Sequence, residues 1–163
     1  MGMMEATRTC FRKFFTFSGR ASRSEYWYFF LFCFLVSIFT GVIDGVVFGN
    51  ASDGPVNGIF SLLTLIPLLS AGWRRMHDSG RSGLYLIYPL IALLGIGTYA
   101  SLLNGVDGVF GDAAAQLGGI VLAIAMVILV LSPLIVIWWL TRPTQTGPNA
   151  YGPQPASTFT RPG

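Results

Sequence analysis

Charge is scarce in this 163-residue chain, with only 10% of its residues Asp, Glu, Lys or Arg, against about 25% in an ordinary soluble domain. Hydrophobic residues make up 53% and mean hydropathy is +0.63, which excludes intrinsic disorder and points to a bilayer as solvent. The length is one domain's worth, so a large multidomain enzyme is excluded. Cysteine and histidine are scarcer still, at two Cys and one His, and no metal-ligand spacing occurs. A disulfide framework is excluded as well, since Cys10 precedes the first apolar run and Cys33 lies inside it, at different depths and facing a reducing compartment. No nucleophile elbow, Walker-type phosphate loop, dinucleotide fingerprint or zinc-protease helix is present. The expectation is therefore a protein without cofactor or metal.

What is present is four long apolar stretches: about residues 26–48, 56–73, 84–103 and 117–140. Each is near the roughly 20 residues that a helix needs to cross a bilayer, and lipid-exposed backbone must satisfy its own hydrogen bonds, so these are helices despite their many Val, Ile and Phe residues. Pro67, Pro89 and Pro133 predict kinks within them. The ten basic residues all fall in the N-terminal tail, the connector from Arg74 to Gly83 and the C-terminal tail, whereas the outer connectors carry only Asp53, Asp107 and Asp112. By the positive-inside bias both termini and the middle connector are cytoplasmic. Trp27, Trp73, Trp138 and Trp139 all lie at the same ends, where interfacial tryptophan belongs. The net charge of +3 is thus a statement about sidedness, and nucleic acid is not an expected partner.

Residues 1–16 read as an amphipathic interfacial helix. At helical pitch Met3, Met4, Thr7, Cys10, Phe11, Phe14 and Phe15 share an arc of roughly 140°, with Glu5, Arg8, Thr9, Arg12 and Lys13 opposite. The basic residues are drawn to the anionic inner leaflet by about 1 kcal/mol each. A turn at Phe17-Ser18-Gly19-Arg20, with Gly19 free to take positive φ, leads to Ser22-Arg23-Ser24-Glu25, which has capping-box form: Ser22 accepts from the Glu25 amide and the Glu25 carboxylate reaches back. The transmembrane domain occupies residues 17–142, and 143–163, rich in proline, reads as an extended tail.

Topology places Arg20, Arg23, Arg74, Arg75, His77, Asp78 and Arg81 at one depth, with Glu25, Asn149 and Tyr151 in support. Such a cluster offers forked donors for phosphate or carboxylate, so its natural occupant is an anionic lipid headgroup or phosphorylated ligand. Asp44 is the only charge placed inside a span. An intramembrane carboxylate costs about 2.5 to 3.5 kcal/mol unless paired or hydrated, which raises an ion relay, although water at the nearby outer interface is the plainer reading. Gly41, Gly45 and Gly49 let another helix approach closely, in the bundle or in a homo-oligomer.

Three motifs carry a resemblance. Phe17-Ser18-Gly19-Arg20-Ala21-Ser22-Arg23-Ser24-Glu25-Tyr26-Trp27, then Arg74-Arg75-Met76-His77-Asp78-Ser79-Gly80-Arg81-Ser82-Gly83, then Gly147-Pro148-Asn149-Ala150-Tyr151-Gly152-Pro153 resemble the Domain of Unknown Function 805 family, small bacterial inner-membrane proteins of YhaH-like pattern. Met76 departs conservatively from a leucine. The resemblance implies an inner-membrane protein of several helices and assigns no activity. The combined expectation is an all-α membrane protein, a four-transmembrane-helix bundle with an N-terminal amphipathic interfacial helix. Its expected role is non-enzymatic, with the cytoplasmic arginines binding anionic lipid headgroups, a phosphorylated ligand or a partner. The alternative is a small oligomeric channel or transporter using Asp44, and a lipid-active enzyme using His77 and Asp78 comes third.

Overall fold

The structure, a computed structural model, describes residues 1–49, 54–96 and 111–155. Among them there are five helices and no strand: α1 Met3–Arg12, α2 Arg23–Phe48, α3 Pro55–Asp78, α4 Gly83–Ile96, and α5 Gly111–Thr141. Helix α4 opens as a 3-10 turn over Gly83–Ile87. Three segments are long and apolar enough to cross a membrane by length and composition: α2, α3 and Gly118–Thr141 of α5. Helix α4 covers the first part of the third predicted span. The rest of that span, together with Asp53, Asp107 and Asp112, lies outside the described residues.

The chain divides into two units, Met1–Gly83 with Leu140–Gly163, and Leu84–Trp139. In the first, α2 and α3 form an antiparallel helical hairpin against which α1 packs. The turn end of the hairpin is fixed by Asp44. Pro55 opens α3, where its fixed φ suits the first helical position, but the preceding Gly54 has no side chain to cap with. Asp44 supplies the cap from α2: Oδ1 accepts from Val56 N at 3.1 Å and Oδ2 from Asn57 N at 2.7 Å. Any Cβ on Gly54 would lie 2.1 Å from Asp44 Cγ, so the contact requires glycine. Asn57 Oδ1 in turn accepts from Ser37 Oγ and Thr40 Oγ1, each at 3.0 Å. Asp44 is fully buried, not water-facing as the sequence suggests, because two helix N-terminal amides and the positive end of the helix dipole replace its hydration.

At the opposite end, Ser22 caps α2 by accepting from Glu25 N at 3.2 Å, as the capping-box reading expects. The other half of the box is absent, since the Glu25 carboxylate turns to Arg74. Gly19 takes φ +83°. Helix α1 is tied down where its chain ends: Ser70 Oγ of α3 reaches the carbonyls of Lys13 at 3.0 Å and Thr16 at 2.7 Å. Its buried residues are Ala6 and Cys10, while Met4 is 83% and Phe15 72% exposed. The predicted apolar arc is therefore split, because the smallest side chains lie where the backbones come closest.

Helix α3 also runs further than the apolar run predicts. The sequence reading ends the span at Trp73 and begins a connector at Arg74, but the helix continues through Arg74, Arg75, Met76, His77 and Asp78. It stops in a Schellman motif, with Gly80 N bonded to His77 O and Arg81 N to Met76 O, both at 3.0 Å. Gly80 takes φ +74°, the left-handed conformation this ending requires.

The second unit contains α4 and α5 to Trp139. Tyr85 contacts Tyr88 and Trp139 with ring centroids 5.9 and 5.2 Å apart, and an apolar cavity of about 280 Å³ lies among Tyr85, Tyr88, Leu131, Ile135 and Trp139. Ile120, Val127, Val130 and Leu134 of α5 are exposed, which suits a helix whose surroundings are hydrocarbon.

Candidate functional site: an arginine knot

The hairpin's open end gathers residues far apart in sequence. Asp78 is fully buried and its carboxylate is divided between two arginines: Arg20 Nε lies 3.0 Å from Oδ1 and Arg75 Nη1 2.5 Å from Oδ2. Two guanidiniums on one carboxylate leave surplus positive charge, and backbone carbonyls absorb it. Arg20 donates to Gln145 O at 2.5 Å and Gly147 O at 2.7 Å, while Arg75 donates to Leu140 O at 3.0 Å and to Arg142 O. Beside them Arg74 pairs with Glu25. Its Nε and Nη2 are buried with no hydrogen-bond partner among the described residues.

The chain after α5 is held by this cluster. Gln145 N donates to Asp78 O at 3.2 Å, and Asn149 Nδ2 donates to His77 O at 2.9 Å. The Tyr151 ring stacks on His77 with centroids 3.9 Å apart and planes 6° from parallel. His77 Nδ1 sits 3.1 Å from Gly19 O, and since a carbonyl only accepts, that nitrogen carries the proton. Asn149 and Gly152 close a small antiparallel bridge. The segment that reads as an extended tail is, through Gly152, a strap laid over the end of α3.

Cys10 lies against the same cluster, with Sγ 4.0 Å from Glu25 O. Burial, reinforced by the Glu25 carboxylate and opposed by the Arg74 guanidinium, pushes its thiol up to about 12. Such a thiol stays neutral and unreactive at physiological pH. Both cysteines are free, and among the described residues no group of three or more His, Cys, Asp or Glu could hold a metal.

Of the residues singled out from sequence, Arg20, Glu25, Arg74, Arg75, His77, Asp78, Asn149 and Tyr151 therefore meet. Their contacts are chiefly with one another and with backbone. Arg23 and Arg142 are exposed and Arg81 is half-buried. Arg23 lines a groove with Ser24, Trp27, Tyr28 and Thr141. Asp44 stands at the far end of the hairpin, outside this cluster. Sequence reasoning missed Ser70, Gln145 and the carbonyls of Leu140, Arg142 and Gly147. Only Gln145 had a visible signal, lying just before the glycine-proline motif of the tail.

The comparisons bear on this geometry directly. The family model described as protein of unknown function, DUF805, matches residues 14–153, a span that takes in every member of the knot and its strap. The chain belongs to this family. Two relatives from Escherichia coli strain K12 fall beside it: the inner membrane protein YhaH, 31% identical over 81 residues, covering 48% of this chain and 67% of that protein; and the inner membrane protein YhaI, 33% identical over 79 residues, covering 48% of this chain and 65% of that protein. No solved structure matches. For this DUF805 protein the match establishes an integral membrane protein and leaves its chemistry to be argued from the side chains.

Proposed function

We propose that the protein is a non-enzymatic, multi-pass inner-membrane protein of four spans with both termini cytoplasmic, whose arginine-rich end binds anionic lipid headgroups or another phosphate-bearing ligand or partner. The observation that carries this reading is the division of the arginines. Arg20, Arg74 and Arg75 are buried and paired inside the fold, whereas Arg23, Arg81 and Arg142 lie at the surface of the same end. The buried set builds and locks the end of the hairpin, and the surface set meets the headgroup layer. Met4 and Phe15, both exposed on the α1 side, enter the inner leaflet beside them.

The names of the two relatives support the inner membrane, and the one-sided distribution of basic residues supports the orientation. A relay through Asp44 gains no support, because both carboxylate oxygens cap α3. The reading is tested by reporter fusions at Ser82 and at the C-terminus, combined with native mass spectrometry from nanodiscs containing phosphatidylglycerol and phosphatidylcholine. It expects cytoplasmic reporter activity at both sites and enrichment of phosphatidylglycerol. An external reporter active at Ser82, or retention of both lipids in proportion to their supply, overturns it.

A further inference from the structure

We infer that the cleft between Arg81 and Arg142 is a phosphate-binding site, an assignment that rests on the reading above and narrows it to one place. Ser79, Arg81, Arg142, Pro143 and Gln145 line a cleft of about 430 Å³, within the range of small-molecule sites. Its lining contains two guanidiniums from separate segments and no carboxylate. The nearest acid in the chain, Asp78, is fully buried and engaged by Arg20 and Arg75.

Two helices end beside this cleft, and exposed C-terminal carbonyls would repel an anion. Here they are occupied. Met76 O accepts from Ser79 N and Arg81 N, His77 O from Gly80 N and Asn149 Nδ2, and Asp78 O from Gln145 N. Leu140 O and Arg142 O accept from Arg75. The buried arginine thus neutralises the end of α5, a task that would otherwise draw on the surface arginines.

The lining is also set in position. Arg81 Nη1 donates to Ser79 O at 3.1 Å, which fixes the plane of its fork. Gln145 Oε1 accepts from Asn149 Nδ2 at 3.0 Å, so the amide turns its NH2 end the other way. Gln145 is anchored further by Arg20 on its carbonyl. Two forks converging from different segments suit a tetrahedral group with several acceptor oxygens better than a planar carboxylate. The ligand class is a phosphate ester, supplied by a phospholipid headgroup or by a free phosphorylated molecule.

The test compares wild type, R81Q, R142Q and R23Q, each full length. One arm titrates detergent-purified protein with inorganic phosphate, and the other counts lipids retained from nanodiscs doped with phosphatidylglycerol, both by native mass spectrometry. The inference expects one tightly held phosphate group in wild type and a loss of about tenfold or more in R81Q and in R142Q, the size of a charged hydrogen bond. R23Q, which removes equal charge outside the cleft, loses less than about threefold, as screened surface charge does. R142K recovers part of the binding, because it restores charge without the fork. Saturation by inorganic phosphate identifies a free phosphate ligand, and retention of phosphatidylglycerol alone identifies the lipid; either supports the site. Equal retention by wild type, R81Q and R142Q overturns the cleft while the membrane-surface reading stands. Loss of anionic preference in wild type itself overturns both.

Discussion

Arg20 and Arg75 share the one carboxylate of Asp78, Arg20 taking Oδ1 at 3.0 Å and Arg75 taking Oδ2 at 2.5 Å. The first residue precedes α2 and the second lies in the last turn of α3, so a single acid fastens the entry of one span to the exit of the next. Removing one member of a buried charge network leaves the others desolvated and unpaired, at about 3–5 kcal/mol. Asp78→Asn is expected to destabilise by that amount, as read by denaturant unfolding in detergent micelles. A loss below about 1 kcal/mol, the range of exposed pairs, would show that the network is not buried in solution.

The strap should be as ordered as the helices it covers. Asn149→Ala with Tyr151→Ala removes the bond to His77 O and the ring stack, together about 1–3 kcal/mol. Limited proteolysis should then cut between Thr144 and Gly152 in the double variant and spare wild type. Equal cleavage of the two would remove the strap from the account.

At the far end, Asp44→Ala should uncap α3 at about 0.5–2 kcal/mol. Hydrogen exchange at the amides of Val56 and Asn57 is the direct readout, and both should exchange faster. Asp44→Asn should change little, because asparagine caps nearly as well. Unchanged exchange in Asp44→Ala would mean that another group satisfies those amides.

Cys10 gives a pH dependence with a definite sign. Its thiol is raised from an ordinary 9.0 to about 12 in the folded protein, so the folded state holds the proton more tightly than the unfolded one. The stability this contributes is complete below pH 9 and is lost as pH climbs toward 12. Unfolding measured across that window should fall with pH in wild type, with a shallower slope in Cys10→Ala. Alkylation of native Cys10 at pH 8 should also be slow, and become rapid in denaturant.

Much of this architecture is legible in sequence. The apolar runs locate α2, α3 and α5, since length and hydropathy decide a span with little help from tertiary contacts. Local signals were equally readable: Ser22 as the cap of α2 and Gly19 as the turn before it. Pairing at long range was not. The motif Arg74 to Asp78 reads as a polar connector because its charges look destined for water. Their partners, Glu25 and Arg20, lie 49 and 58 residues away, and only folding converts a hydrophilic run into the buried last turn of a helix. The same gap made the conspicuous arginines look like the ligand site, whereas their donors are spent on Asp78, Glu25 and the carbonyls of the strap. Asp44 misleads for a similar reason, since its partners are backbone amides, which carry no side-chain signature.

The central claim is that buried arginines hold the fold while surface arginines of the same end meet anions. It is tested most directly by unfolding Arg75→Gln and Arg142→Gln side by side in the same detergent. Each removes one positive charge, and the residues are neighbours in space, with the Arg75 side chain on the Arg142 carbonyl. The account predicts a loss of about 3–5 kcal/mol for Arg75→Gln and under about 0.5 kcal/mol for Arg142→Gln. Equal losses, or a larger one for Arg142→Gln, would contradict it.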